Sequence, residues 1–295
     1  RDRFYAFEKT TGELAWISTP GTRPQDSSFS TPILSSYLGE KVLYAGTGCG
    51  NVVCMRASDG KPLWRYQLSR GGVNASILTH QNKVIAIHGK ENLDSSQTGR
   101  MVSIQPPAEI PKQRQLVLGK DNEVWRNIAG HFTSSGVLVE DRIYQVLPTG
   151  ELVAVEANSG KTLWTMKLGS EQLHASPLYA DGFLYIPLRS GKVFVLKPGH
   201  QGAEIVSETQ LKGSCLGAPS AFDGQVFVHT TQALYAFGSP RTAHSPSARK
   251  PVTPEEKNLA KAAQLQIVPA ELTLLPNQPR TITAWKVDAQ GKRLE

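Results

Sequence analysis

What most constrains this chain of 295 residues is a repeat kept in two registers at once. Ala6-Phe7-Glu8 leads through Thr11-Gly12-Glu13-Leu14-Ala15 to Trp16. Met55-Arg56-Ala57 leads through Asp59-Gly60-Lys61-Pro62-Leu63 to Trp64, and Val155-Glu156-Ala157 through Ser159-Gly160-Lys161-Thr162-Leu163 to Trp164. Asp121-Asn122-Glu123-Val124-Trp125 keeps the Trp without the Gly. Leu196-Lys197-Pro198, followed by Gly202-Ala203-Glu204-Ile205-Val206, keeps the Gly and replaces Trp with Val. The Trp positions lie 48, 61 and 39 residues apart, with 42 more to Val206. The second register is a small, polar lead-in: Ser30-Thr31-Pro32, Asn74-Ala75-Ser76, Ser134-Ser135-Gly136, Ala175-Ser176-Pro177 and Gly217-Ala218-Pro219. Self-similarity of this kind marks units that bury their apolar faces only by stacking on one another.

Between the landmarks lie short alternating runs. Val42-Leu43-Tyr44-Ala45 and Val52-Val53-Cys54-Met55 flank Gly48 to Asn51, and Phe183 to Ile186 and Val193 to Leu196 flank Ser190-Gly191-Lys192. β-Branched and aromatic flanks around a Gly-bearing turn read as hairpins. Each unit then holds four strands in about 42 residues, the size of a propeller blade. The expected fold is all-β, a β-propeller of four-stranded blades. Gly12, Gly60, Gly160 and Gly202 are expected in left-handed turns before the outer strand, with Asp121-Asn122 standing in for the third unit. Trp16, Trp64, Trp125 and Trp164 would each carry an indole across to the next blade, worth roughly 3 kcal/mol when buried. These positions are read as blade docking and not as a binding cage.

The A-x-(D/E)-x-x-(T/S)-G-x-x-x-W element and its Ser/Thr-Pro lead-in resemble the PQQ-like (quinoprotein-like, BamB-like) propeller repeat over residues 4 to 238. The family includes pyrroloquinoline-quinone (PQQ) dehydrogenases and non-catalytic outer-membrane assembly lipoproteins, so the resemblance implies a periplasmic or cell-surface place. It also implies a ring of seven or eight blades, of which five to six fit here. Phe4 to Phe7 and Leu234 to Phe237 both read as third strands. Both ends are therefore expected to be cut, with the outer strand of the last blade supplied from upstream of Arg1. A quinoprotein dehydrogenase of the family carries a calcium site of Glu, Asn and Asp oxygens, a catalytic Asp and commonly adjacent cysteines. No Cys-Cys occurs here, and the acidic residues fall mostly in turns (Glu8, Asp59, Asp181, Asp223). The expectation is no catalytic residue, no metal and no cofactor. A PQQ-dependent alcohol or sugar dehydrogenase with PQQ and calcium is the alternative.

Three further stretches shape the reading. The third unit carries an insertion, roughly Glu91 to Gln115, expected as a surface loop. After residues 1–238 as propeller, 239–263 read as a Pro, Ser and basic linker with a short helix opening at Thr253-Pro254. Residues 264–295 read as the beginning of an immunoglobulin-like β domain. The net charge of 32 − 25 = +7 is scattered through turns, with Arg241, Arg249 and Lys250 in the linker. No nucleic-acid motif accompanies it and no apolar run is long enough to span a bilayer. Cys49, Cys54 and Cys215 do not form a disulfide framework, and Cys54 is expected as a free core thiol.

The partner is expected at the propeller rim and funnel, as a protein, peptide or glycan. Asn74, His131, Ser134, His174 and Arg189 are the candidate binding residues. His131 and His174 are expected in similar places before adjacent inner strands, both facing the funnel.

Overall fold

The computed structural model describes residues 2–238, 264–268, 279, 281–287 and 293–294. Six consecutive sheets follow the repeat, antiparallel apart from one added strand. Strands β1 (Phe4–Phe7) and β2 (Leu14–Ser18) form the first. The second holds β3 (Ile33–Tyr37), β4 (Glu40–Gly46), β5 (Asn51–Arg56) and β6 (Pro62–Gln67), with one more strand, β10 (Leu116–Leu118), added beyond β6. The third holds β7 (Leu78–His80), β8 (Lys83–Glu91), β9 (Thr98–Ile104) and β11 (Glu123–Asn127). The fourth is β12 (Val137–Val139) to β15 (Thr162–Lys167), through β13 (Arg142–Val146) and β14 (Glu151–Glu156). The fifth runs from β16 (Leu178–Ala180) through β17 (Phe183–Pro187) and β18 (Lys192–Pro198) to β19 (Ala203–Gln210). The sixth has β20 (Ser220–Phe222), β21 (Gln225–His229) and β22 (Leu234–Phe237). The chain folds as a β-propeller, and each sheet is a blade.

The core sits in the seams between blades because a strand shows alternate residues to opposite faces. On β8, Val84 and Ala86 join the second blade's Val42, Tyr44 and Trp64. The intervening Ile85 and Ile87 join the fourth blade's Ile143, Val153 and Val155. The fourth and fifth blades share Tyr144, Leu152, Leu184 and Phe194. A strand buried on both faces reads as a continuous apolar run, and Val52-Val53-Cys54-Met55 is fully buried. All three cysteines are free and buried.

The turn before the outer strand repeats closely in three blades. Gly12, Gly60 and Gly160 have φ of +73°, +72° and +73°. In each, the Gly amide donates four residues back (Gly160 to Glu156 O, 2.8 Å) and that residue's amide donates forward (Glu156 to Lys161 O, 2.8 Å).

Two expectations fail here, each for a local reason. Gly202 does not adopt the left-handed conformation. Pro198 occupies the place of Glu156 and has no amide to close the turn, which closes instead from Gly199 to Gly202 O. Asp121-Asn122 is not left-handed either; it lies in a 3-10 turn, Lys120–Asn122.

The insertion also departs from a single surface loop. Part of it lengthens the β8–β9 hairpin over residues 92–97, and the rest is a strap over residues 105–122. The strap leaves β9, adds β10 in parallel to β6 of the neighbouring blade, and returns as β11. Beyond the blades, β23 (Gln264–Val268), β24 (Thr283–Val287) and β25 (Arg293–Leu294) form a three-stranded antiparallel sheet. Residues 239–263, with the expected linker, helix and basic cluster, lie outside the described residues.

Candidate functional site at the channel mouth

Antiparallel strands alternate direction, so the outer-to-inner connections and the β4–β5 type turns gather at one end of the propeller. The small polar lead-ins tie these connections together because short hydroxyl side chains reach backbone groups of the next blade. Ser76 N–H donates to Ser135 Oγ at 2.8 Å, and Ser135 N–H donates to Ser176 Oγ at 2.8 Å. Ser28 Oγ donates to Val73 O at 2.9 Å, and Ser134 Oγ to Ala175 O at 3.3 Å. The register of these bonds makes Phe29, Asn74, Thr133 and His174 comparable positions around the mouth, and the lead-in Gly217-Ala218-Pro219 sets Leu216 in the same place in sequence.

Asn74 is buried, and its Oδ1 accepts the Phe29 amide at 3.1 Å. Ser134 is buried. His174 is half-buried; its carbonyl accepts Thr133 Oγ1 at 3.2 Å, and its Nδ1 lies 3.5 Å from the same oxygen. His131 is not its counterpart. That place belongs to Thr133, two residues on, and His131 is 2% exposed. Its Nδ1 accepts the amides of Thr133 at 3.0 Å and Ser134 at 2.8 Å, so the ring braces the lead-in from behind. Burial, with a smaller contribution from His174, holds its pKa down at about 4. Arg189 is exposed in the turn between β17 and β18, and its carbonyl accepts the Cys215 amide at 3.3 Å. The structure thus brings His131, Ser134 and His174 together through Thr133, and places Asn74 and Arg189 elsewhere on the same rim.

Residue reasoning passed over the exposed mouth residues. Phe29 is 69% and Leu216 55% exposed. Phe132 lies under the Lys90 ammonium, 4.5 Å from the ring centroid, and Lys90 also pairs with Asp26 at 2.7 Å. That ion pair holds the Asp26 carboxyl below its usual range. The signal for Phe29, Thr133 and Leu216 was positional, one residue before each lead-in. At the same end, burial pushes the Cys49 thiol up, but donors from Thr22, Thr47 and Asn51 outweigh it and lower its pKa.

Among the described residues no group of three or more His, Cys, Asp or Glu side chains is placed to hold a metal ion. Nor, among them, is any helix long and apolar enough to cross a membrane. A cavity of about 730 Å³ opens at the opposite end, between the second and third blades, beside Tyr37, His80, Asn82 and Pro106.

A family model described as outer membrane protein assembly factor BamB matches residues 1–105, 116–196 and 149–245. The chain belongs to the BamB family. Among solved structures it is similar to the crystal structure of BamB from Moraxella catarrhalis, with a TM-score of 0.57 and 13% identity, over 79% of this chain and 66% of that one. It therefore spans just under two thirds of that BamB chain. It is also similar to a chain of the mitotic checkpoint complex, with a TM-score of 0.56 and 10% identity, over 81% of this chain and 71% of the other. At these identities the likeness concerns the fold alone. No curated protein matches this chain. The first two matched segments of the BamB family model leave out residues 106–115, most of the strap.

Proposed function

We propose that this chain is a non-catalytic propeller scaffold that holds a partner outside the cytoplasm, in the periplasm or at the cell surface, and needs no cofactor. Membership of a family described by outer membrane protein assembly supports an assembly role. The observation that carries the reading is the mouth ring. Connections braced blade to blade by Ser and Thr present Phe29, Phe132 and Leu216 to solvent on the rim that also carries the exposed Arg189. Exposed apolar residues on a rigid polar frame suit recognition of a polypeptide. A glycan would be better served by exposed Trp or Tyr platforms, so a protein or peptide is the preferred partner. We also propose that residues 264–295 open an immunoglobulin-like module tethered through 239–263.

The test is a photo-crosslinking amino acid placed at Phe29 and Leu216, with Asp181 at the opposite end as control. Cross-linking to a discrete protein from the mouth alone supports the reading. Equal cross-linking from both ends, or none, sinks it. Stoichiometric uptake of PQQ with calcium, followed by substrate-driven reduction, would replace it with the dehydrogenase alternative.

A further inference from the structure

The strap is not needed to build a blade, and the first two matched segments of the family model leave out residues 106–115. It is nonetheless firmly held. Tyr37 Oη donates to Pro107 O at 2.5 Å, Lys61 Nζ to Lys112 O at 2.7 Å, and Gln115 Nε2 to Pro20 O at 2.8 Å. Tyr66 Oη donates to the Glu123 carboxylate where the strap rejoins its own blade. Pro111 and Leu118 are buried beneath it. The loop-closure cost of ordering such a segment is thus already met before any partner arrives.

What the strap presents is a strand edge. In the order β10-β6-β5-β4-β3, β10 is the end strand, and β6 is its only paired neighbour among the described residues. An end strand leaves backbone N–H and C=O groups free to take another strand. On β10, Leu116 is 38% and Val117 62% exposed. Lys112, Arg114 and Lys120 flank them, all exposed, and no carboxylate lies between Glu109 and Asp121. Basic flanks alone would serve to discourage pairing with another copy of the same edge. They do not require an exposed apolar pair held on a pinned backbone between them.

We propose that β10 is a docking edge for an extended acidic peptide, which adds to the second blade as a further strand. Backbone hydrogen bonds from β10 would supply most of the affinity. Lys112, Arg114 and Lys120 would select for carboxylates, and Val117 would meet one apolar side chain. This surface is separate from the channel mouth.

The experiment uses the whole chain and a labelled peptide of alternating Val and Glu. A second peptide with the same charge has Pro in place of each Val, so that it cannot donate to a strand edge. Anisotropy should show the Val/Glu peptide binding about tenfold more tightly than the Pro peptide, and exchange of the 116–118 amides should slow about fivefold. The triple variant K112E/R114E/K120E, altered only at exposed side chains, should bind about tenfold more weakly with an unchanged melting temperature. A mouth variant, Leu216→Asp, should bind this peptide as the parent does, which separates the fate of this proposal from that of the mouth. Equal binding of the two peptides, protection away from β10, loss of binding on Leu216→Asp, or no binding at about 1 mM peptide each overturns it.

Discussion

Two seams of one propeller solve the same packing problem differently. Between the third and fourth blades, Trp125 lies over Gly160 and its Nε1 donates to Ala157 O at 3.0 Å. Trp16 does the same to Ala57 O at 3.1 Å and Trp164 to Gly199 O at 3.2 Å. Between the second and third blades the receiving turn has given way to the strap. Trp64 is as deeply buried as any of the four, yet its Nε1 has no hydrogen-bond partner among the described residues. A buried orphan donor costs about 1–3 kcal/mol. The strap offsets it with the β10 ladder and with Leu118 and Ile110 against the same core. The indole's apolar surface and its N–H are therefore separable contributions, and only the first is common to the four seams that carry a Trp.

The widest gap between the seams should come from Gly160→Ala. The new Cβ would stand 2.4 Å from Trp125 at a φ of +73°. Strain and overpacking together should cost about 4 kcal/mol in denaturant unfolding. Gly12→Ala, at the same φ with nothing within 4 Å, is the control and should cost only about 1 kcal/mol. Equal costs would mean that the indole contact is not what holds the seam.

Acid comes next. Burial holds His88 and His131 at about 4, the former with help from Arg100. Both are therefore neutral in the fold and more readily protonated when unfolded. Stability is full above the unfolded pKa of about 6.5 and falls as pH drops from there towards 4, by up to about 3 kcal/mol for each ring. His131→Gln should remove about half of that acid slope. A slope unchanged in the variant would show that His131 does not titrate with folding.

A finer test replaces the indole and keeps the packing. Trp125→Phe strips Ala157 O of its donor, whereas Trp64→Phe loses no hydrogen bond and removes the orphan donor, so Trp125→Phe should cost about 2 kcal/mol more than Trp64→Phe. Comparable losses would place a partner on Trp64 after all. Smallest of all, Asp121→Ala, exposed in the 3-10 turn, should change stability by less than about 0.5 kcal/mol.

The sequence displays these seams unevenly. A spacing of 61 beside one of 39 betrays an insertion in the third unit. It does not reveal that Leu116-Val117-Leu118 pairs with a strand some 50 residues earlier, because a three-residue apolar run looks the same whichever sheet receives it. Blade packing is legible because Gly and Trp are costly to replace where a left-handed turn meets a ring. The departure at Gly202 was also there to be read, in Pro198. The mouth is harder. It is built from Ser, Thr and backbone groups whose roles depend on neighbours across a seam, so His131 drew notice that Thr133 and Phe29 earned.

The strap also bears on how the molecule comes apart. In a stacked array each unit normally opens against its neighbours alone, so fraying can start at any seam. Here three residues that follow the third blade's β9 in sequence are hydrogen-bonded into the second blade, before the chain returns to close the third. Neither blade can be peeled away without tearing a ladder in the other. The two should therefore open as a single cooperative unit, and native-state hydrogen exchange should show them opening together as the slowest-exchanging block.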